Sequence, residues 1–281
     1  MAWVKKNRKR LVFGSLLIIS FFTLYLLPRT DNVESSEKTL SKEEKIPTVF
    51  VHGFKGTYNS FKTMMDRFEN QHGWGQKTLT LFVSEKGIIT YSGDLPKNPS
   101  SPPLIQVVFE SNRASIPDTT QWLENVMKFL YDFYEVRDIN IVGHSMGGLV
   151  STLYLQNSKN IVEVPKPHKF ITIGSPFLGV TKQSYRQINT GAAVKDLMPN
   201  SKVLNNLYKN RGALPNDIKV FAIASTGDQV VSVKSATAIQ KLFPRENYQQ
   251  EIIYDPHASH SGLHESVLVD HLIGEFLWKI K

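Results

Sequence analysis

The sequence predicts an α/β fold in which a mostly parallel sheet carries helices on both faces. Short apolar runs alternate with segments of helical periodicity from Ile46 onward, a pattern typical of strands joined by crossover helices. The central runs are apolar throughout, as expected of strands that are covered on both faces. Because 41% of the 281 residues are hydrophobic, the chain can bury the core of one large domain, which we assign to residues 46–281.

The individual elements follow from the lengths and periods of these runs. Strands are predicted at residues 48–52, 78–83, 105–110, 139–143, 170–173, 220–224 and 251–254. Helices are predicted at residues 119–134, 146–156 and 265–280, where apolar residues recur at helical spacing.

A segment of different composition precedes this domain. A basic tail, residues 1–10, leads into an uncharged apolar run at 11–27, which would span roughly 25 Å as a helix. The acidic, Ser-rich residues 28–45 predict a flexible linker. Basic residues before the run and acidic residues after it predict a cytoplasmic N-terminus, a single-pass transmembrane anchor and an extracellular domain. A cleaved signal peptide is the alternative, disfavoured by the length of the run and the lack of a small-residue cleavage site.

Charge and cysteine content exclude several classes of function. The formal net charge is +8, but five positive charges lie in the first ten residues, which leaves a mild +3 for the rest. Nucleic acid is therefore not an expected partner. The absence of cysteine excludes disulfides, a cysteine nucleophile and cysteine-ligated metals.

A candidate nucleophile lies in Gly143-His144-Ser145-Met146-Gly147, between a predicted strand and a predicted helix. This G-x-S-x-G pattern is typical of a tight strand–helix turn that exposes a reactive serine, and the glycines leave room for it. The start of the helix also supplies free N–H groups that can stabilise a developing oxyanion. The alternative is an ordinary tight turn with an incidental serine.

The strand at 48–52 runs into His52-Gly53-Phe54, where a glycine allows close approach of a ligand to the backbone. In serine hydrolases with this strand–turn–helix motif, the second oxyanion N–H comes from such a loop, so Phe54 and Met146 are the predicted backbone donors. We expect His52 to orient the loop by hydrogen bonding.

A serine nucleophile needs a histidine to take its proton and a carboxylate to orient that histidine. Asp228 is the predicted acid, because it lies in a turn directly after the strand at 220–224. Asp217 and Asp255 are less well placed, since the first precedes that strand and the second follows the next one.

The loop after the last strand offers three histidines, His257, His260 and His264. His260 is the predicted base because it lies within the Ser/Gly loop, and His264, close to the final helix, is the alternative. Histidines at this spacing could also bind a metal ion, but no carboxylate motif accompanies them, so we expect neither a metal nor a cofactor.

The motifs HGF, GHSMGG, GSPF, GDQVV and HSGLHESVLVDHLIGEFLW together resemble the alpha/beta-hydrolase superfamily, from residue 47 to the C-terminus. More narrowly, they resemble bacterial cell-surface hydrolases of the domain-of-unknown-function type. The closing H-S-G-L is similar to that of small bacterial lipases, in which the first histidine of the run is the base, and this resemblance favours His260. The oxyanion loop reads HGFKG and departs from the HGGG of many esterases.

The sequence thus predicts an extracellular, esterase- or lipase-like serine hydrolase that acts on a small-molecule or lipid ester through an acyl-enzyme. An acyltransferase with the same triad and a non-catalytic surface-binding module are the alternatives. Apolar residues in segment 176–218 predict either a cap over the site or helices that seal the sheet. Segment 87–103 predicts a hairpin and a Pro-rich loop near the mouth of the site.

Overall fold

A computed structural model describes residues 45–280 of the chain. Its centre is one eight-stranded sheet, made of β1 (Thr48–Val51), β2 (Gln76–Val83), β3 (Ile89–Gly93), β4 (Pro103–Phe109), β5 (Asp138–His144), β6 (Lys166–Ile173), β7 (Lys219–Ser225) and β8 (Tyr248–Ile253). The strand order is β3-β2-β4-β1-β5-β6-β7-β8, and every neighbouring pair is parallel except β2 with β3. The carboxyl ends of the parallel strands therefore meet at one edge of the sheet.

Helices cover both faces of the sheet, as predicted. They are α1 (Asn59–Asn70), α2 (Ile116–Phe133), α3 (Met146–Asn157), α4 (Gln183–Ile188), α5 (Ala192–Asp196), α6 (Lys202–Lys209), α7 (Val233–Ala236) and α8 (Val267–Trp278). One buried apolar cluster joins the sheet to α2, α3 and α6, and a second joins it to α1 and α8. Strands β1 and β4 are buried along their whole length, which explains their continuous apolar sequence.

The seven predicted strands are present, with ends that differ by up to four residues from the predicted ones. Of the hairpin predicted within residues 87–103, only one strand, β3, lies there, and it pairs with β2, which precedes the segment. Its Pro-rich loop, however, is not near the mouth of the site, and that prediction was wrong. Because β3 runs antiparallel, it returns the chain to the opposite edge, where Pro96 and Pro99 line a cleft of about 1000 Å³ with Pro47, Asp138 and His168.

Segment 176–218 divides into two parts. In α6, Val203, Leu204 and Leu207 are buried, and the Gln156 side chain of α3 donates to the Leu207 carbonyl at 2.7 Å, so this part seals one face of the sheet. In α4, the Tyr185 ring lies 6.2 Å from the Phe54 ring, next to the predicted oxyanion loop. Within this segment, α4 therefore remains the candidate for a cap, whereas α6 seals the sheet.

The predicted tail, transmembrane anchor and nearly all of the predicted linker, at 1–10, 11–27 and 28–45, lie outside the described residues. Among residues 45–280, no helix combines the length and the apolar character needed to cross a bilayer.

Candidate active site

Ser145 lies at the turn between β5 and α3, at the carboxyl edge of the sheet. Its backbone has φ 53° and ψ −126°, a strained conformation for a residue with a side chain. The tightness of this turn requires Gly147, because a Cβ there would lie 2.1 Å from the Val51 carbonyl oxygen. The Ser145 N–H donates to the Ile173 carbonyl at 2.8 Å, which ties the turn to the neighbouring strand.

Three of the predicted side chains are within hydrogen-bond distance of one another. His260 Nε2 lies 2.9 Å from Ser145 Oγ, and His260 Nδ1 lies 2.7 Å from Asp228 Oδ2. The other carboxylate oxygen, Asp228 Oδ1, accepts from the N–H groups of Val230 and Val231 at 2.8 Å each. With the carboxylate as acceptor, Nδ1 of His260 carries the proton and Nε2 is free to accept the serine proton.

The sheet topology explains how distant residues converge here. Asp228 follows β7, and His260 lies in the loop between β8 and α8. Because β7 and β8 are neighbours in the sheet, the two residues come together at its carboxyl edge. Ser225, at the end of β7, joins the two loops: its Oγ donates to the Ala258 carbonyl at 2.7 Å and accepts from Gly227 N–H at 2.9 Å. Ser225 was not among the predicted site residues, although its position at the end of an apolar strand was an available signal.

The predicted oxyanion loop lies directly beside Ser145. A Cβ on Gly53 would come within 2.7 Å of Ser145 Cβ, so only glycine allows this approach. Within the loop, Lys55 N–H donates to the Asn112 carbonyl at 2.8 Å and Gly56 N–H to the Gly53 carbonyl at 2.9 Å. Phe54 N–H has no acceptor among the described residues. As the first residue of α3, Met146 also has no carbonyl a turn earlier in its helix to accept its N–H.

His52 is buried and makes two backbone hydrogen bonds. Its Nε2 accepts from Phe109 N–H at 2.9 Å, so the proton resides on Nδ1, which donates to the Gly53 carbonyl at 2.8 Å. Burial lowers the pKa of His52 to about 4, and the hydrogen bond to Gly53, which raises the pKa, offsets only part of this effect. A neutral imidazole with both nitrogens engaged can orient the loop that follows β1 against the end of β4.

The alternative base, His264, makes no hydrogen bond to Ser145; its Nδ1 lies 2.9 Å from Glu265 Oε1. Burial lowers the pKa of His264, although the nearby negative charge of Glu265 acts to raise it. Between the two candidate bases lies His144, whose Nε2 is 3.0 Å from the His260 carbonyl oxygen. Burial and the neighbouring histidines hold the pKa of His144 well below its ordinary value, so it is neutral and donates to that carbonyl.

A buried ion pair holds the loop that carries the histidines. Arg67 of α1 makes two hydrogen bonds with the fully buried carboxylate of Asp270 in α8, one of them at 2.9 Å from NH2 to Oδ1. The same guanidinium donates to the His264 carbonyl at 3.1 Å. Sequence analysis missed this pair, although an aspartate inside the apolar stretch VLVDHLIGEFLW signals a buried partner cation.

The remaining candidates lie elsewhere. Asp217 forms an ion pair with Lys166 at 2.7 Å, and Asp255 accepts from His257 N–H at 2.8 Å. Within residues 45–280, no group of three or more His, Cys, Asp or Glu side chains is arranged to hold a metal ion.

The chain is similar to one protein family and to several proteins of solved structure. The model of a family described as alpha/beta hydrolase of unknown function (DUF915) matches residues 35–280. A Listeria innocua gene product of solved structure is 28% identical, with a TM-score of 0.72 over 84% of this chain and 95% of its own. A structure described as a cell surface hydrolase from Lactobacillus plantarum is 22% identical, with a TM-score of 0.64 over 83% and 90%.

The mature Bacillus licheniformis lipase BlEst2 is 17% identical, with a TM-score of 0.56 over 85% of this chain and 94% of its own, and this likeness concerns the fold alone. No curated protein matches the sequence.

Proposed function

Because the chain belongs to the family of alpha/beta hydrolases of unknown function (DUF915), we propose that it is a serine hydrolase that cleaves carboxylic esters. The observation that carries the proposal is the continuous hydrogen bonding from Asp228 through His260 to Ser145. An isolated serine is a weak nucleophile, and this arrangement is what activates it. The unpaired Phe54 N–H beside Ser145 supports the same assignment, since a donor without a protein partner is available to a ligand.

The proposed reaction proceeds through an acyl-enzyme. His260 Nε2 takes the hydroxyl proton of Ser145 as Oγ forms a bond to the ester carbonyl carbon, and the carbonyl electron pair moves to oxygen. Phe54 N–H and Met146 N–H donate to this oxyanion, and each such donor contributes about 10²–10³ in kcat. When the oxyanion collapses, the bond to the alcohol oxygen breaks and the alcohol leaves with the proton from His260.

Water completes the cycle by the same steps. His260 accepts a proton from water as the water oxygen attacks the acyl carbon, and the resulting oxyanion is again held by the two N–H groups. Collapse breaks the bond to Ser145 Oγ, which regains its proton from His260, and the carboxylic acid is released. Asp228 keeps Nδ1 as the donor side of the ring throughout and stabilises the imidazolium.

Small-molecule or lipid esters are the proposed substrates. The partly buried rings of Phe54 and Tyr185 lie 6.2 Å apart, so α4 contributes one aromatic ring to the surface where an acyl chain would lie. We therefore propose that α4, within segment 176–218, is the part of the chain that acts as a cap.

The experiment compares full-length protein with its Ser145→Ala variant on p-nitrophenyl esters of increasing acyl length. We expect nitrophenol release to fall at least a thousandfold in the variant, with unchanged thermal unfolding. Ser92→Ala, on the exposed strand β3, is the matched control and should retain wild-type activity. Equal turnover by wild type and Ser145→Ala would overturn the proposal.

We also propose that residues 11–27 anchor the protein in the cell membrane, with the hydrolase domain outside. The support is the uncharged apolar run, its basic flank and the acidic linker. Protease added to intact cells should release a fragment of the size of residues 46–281, whereas protection of the whole chain would contradict the proposed orientation.

A further inference from the structure

Two cationic side chains flank Phe54, the residue whose N–H is the proposed oxyanion donor. Lys55 Nζ lies 5.6 Å from the centroid of the Phe54 ring, and the Arg113 guanidinium carbon lies 5.8 Å from it. Both side chains belong to exposed residues, yet neither makes an ion pair with a carboxylate within residues 45–280. Two positive charges thus lie beside Phe54 without an ion-pair partner among the described residues.

Hydrogen bonds hold the backbone of Lys55 and the guanidinium of Arg113. The Lys55 backbone has φ 61°, and its N–H is bound to the Asn112 carbonyl. Arg113, the next residue of that loop, donates from NH1 to the carbonyl and hydroxyl oxygens of Thr190, at 3.3 and 3.2 Å. Because Thr190 lies two residues beyond the end of α4, Arg113 links the proposed cap to the loop that contacts Lys55, and its guanidinium has a defined position.

The neighbouring carboxylates make their contacts to other groups. Asp118 accepts from the Ser115 hydroxyl, Asp196 accepts from Ile116 N–H, and Glu265 pairs with Arg67 and His264. Glu110, the other charged residue near this loop, is exposed and makes no ion pair with either cation in the described part of the chain. Lys55 and Arg113 therefore place positive charge beside Phe54, the residue of the proposed oxyanion donor.

We propose that Lys55 and Arg113 select esters that carry a negative charge, a carboxylate or a phosphate, a few atoms from the scissile carbonyl. This inference rests on the proposed ester hydrolysis at Ser145 and names its substrate class. A bound anion would supply the missing counter-charge, and it would be attracted to the site before the reaction as well as in the transition state. Since exposed charges are screened within about 8 Å at physiological ionic strength, the preference should weaken as salt is added.

The test measures kcat/KM of the full-length protein on pairs of soluble esters that differ in charge. One pair is mono-p-nitrophenyl glutarate and p-nitrophenyl valerate, and a second is dihexanoyl phosphatidic acid and dihexanoylglycerol, below their aggregation concentrations. The variant is Lys55→Gln/Arg113→Gln, which keeps hydrogen-bonding capacity and removes both charges. The control is Lys279→Gln/Arg245→Gln, since Lys279 is also exposed at positive φ and both residues lie near the amino ends of β7 and β8, at the edge of the sheet opposite to Ser145.

We expect the anionic-to-neutral ratio of kcat/KM to fall about tenfold in the variant for at least one pair, as for the loss of two exposed charge contacts. The control should keep the wild-type ratio. A response in the first pair alone assigns a carboxylate on the acyl side, and one in the second alone assigns a phosphate on the alcohol side. Equal ratios in wild type and variant for both pairs overturn the inference.

Failure of the inference can be told apart from failure of the proposed function. If wild type hydrolyses the neutral esters and Ser145→Ala does not, ester hydrolysis stands whatever the ratio shows. Vesicles of anionic phospholipid give a further comparison. If the charge preference occurs only on vesicles and not on the soluble esters, the cations bind a membrane surface and the inference is wrong.

Discussion

Replacing Asp228 with asparagine would change which ring nitrogen of His260 carries the proton. Oδ1 of Asp228 accepts two backbone N–H groups at 2.8 Å, so the oxygen of the new amide must take that position. The NH2 group then faces His260 Nδ1, at the place where Oδ2 now lies 2.7 Å away. Nδ1 becomes an acceptor, the proton moves to Nε2, and Nε2 can no longer take the proton of Ser145.

We expect Asp228→Asn to lower kcat about 10⁴-fold, or about 5 kcal/mol in activation free energy, because the same loss of tautomer has that effect in other serine hydrolases. Both bonds at Oδ1 survive, so the free energy of unfolding should change by less than about 2 kcal/mol. The assay is p-nitrophenyl ester hydrolysis with urea unfolding in parallel. Asp255→Asn, at the other acid of this edge, is the control and should retain turnover.

The reasoning is refuted if Asp228→Asn folds normally and keeps turnover within tenfold of wild type. It is also refuted if Asp255→Asn, and not Asp228→Asn, abolishes turnover, because the acid would then be the other carboxylate.

Three further predictions concern stability. The folded pKa of His52 is about 4, so between pH 6.5 and pH 4 the unfolded state binds more protons than the folded state. Acidification from pH 7 to pH 5 should therefore lower the unfolding free energy of wild type by about 2 kcal/mol more than that of His52→Gln, as measured by urea titration. Equal losses in the two proteins would contradict this. Arg67→Met should lower the unfolding free energy by about 3–5 kcal/mol, because it leaves the buried carboxylate of Asp270 without Arg67. Arg67→Met/Asp270→Leu should lower it by less, since both charges are then removed. A larger loss in the double variant would be inconsistent with this account. Gly147→Ala should destabilise by about 3 kcal/mol or prevent folding, whereas Gly212→Ala, with open space around it, should be nearly neutral in thermal unfolding; similar melting temperatures for both would contradict the packing argument.

The sequence predicted the strands that have a continuous apolar signal and failed where that signal is absent. β1 and β4 are buried throughout and read as unbroken apolar runs. β3 is an edge strand whose residues are almost all exposed, so nothing but its turn residues marked it. Helix α1 was missed although Phe61, Met64, Met65 and Phe68 recur at helical spacing, a signal that was available.

The candidate site divides in the same way. A local motif, strand–turn–helix with glycines, identifies Ser145 because its geometry is set within a few residues. The choice of His260 over His264 depends on which histidine meets both Ser145 and Asp228, and this is set by the packing of the β8–α8 loop. Arg67 depends on contacts about 200 residues apart in the chain, which no local pattern encodes.

The most direct test of the central claim is to label the full-length protein with a serine-directed phosphonate and to map the adduct by mass spectrometry. We predict one adduct, on the peptide that contains Ser145, formed rapidly by wild type and slowly by Asp228→Asn. Failure of folded wild-type protein to react, or an adduct on another serine that persists in Ser145→Ala, would contradict the account.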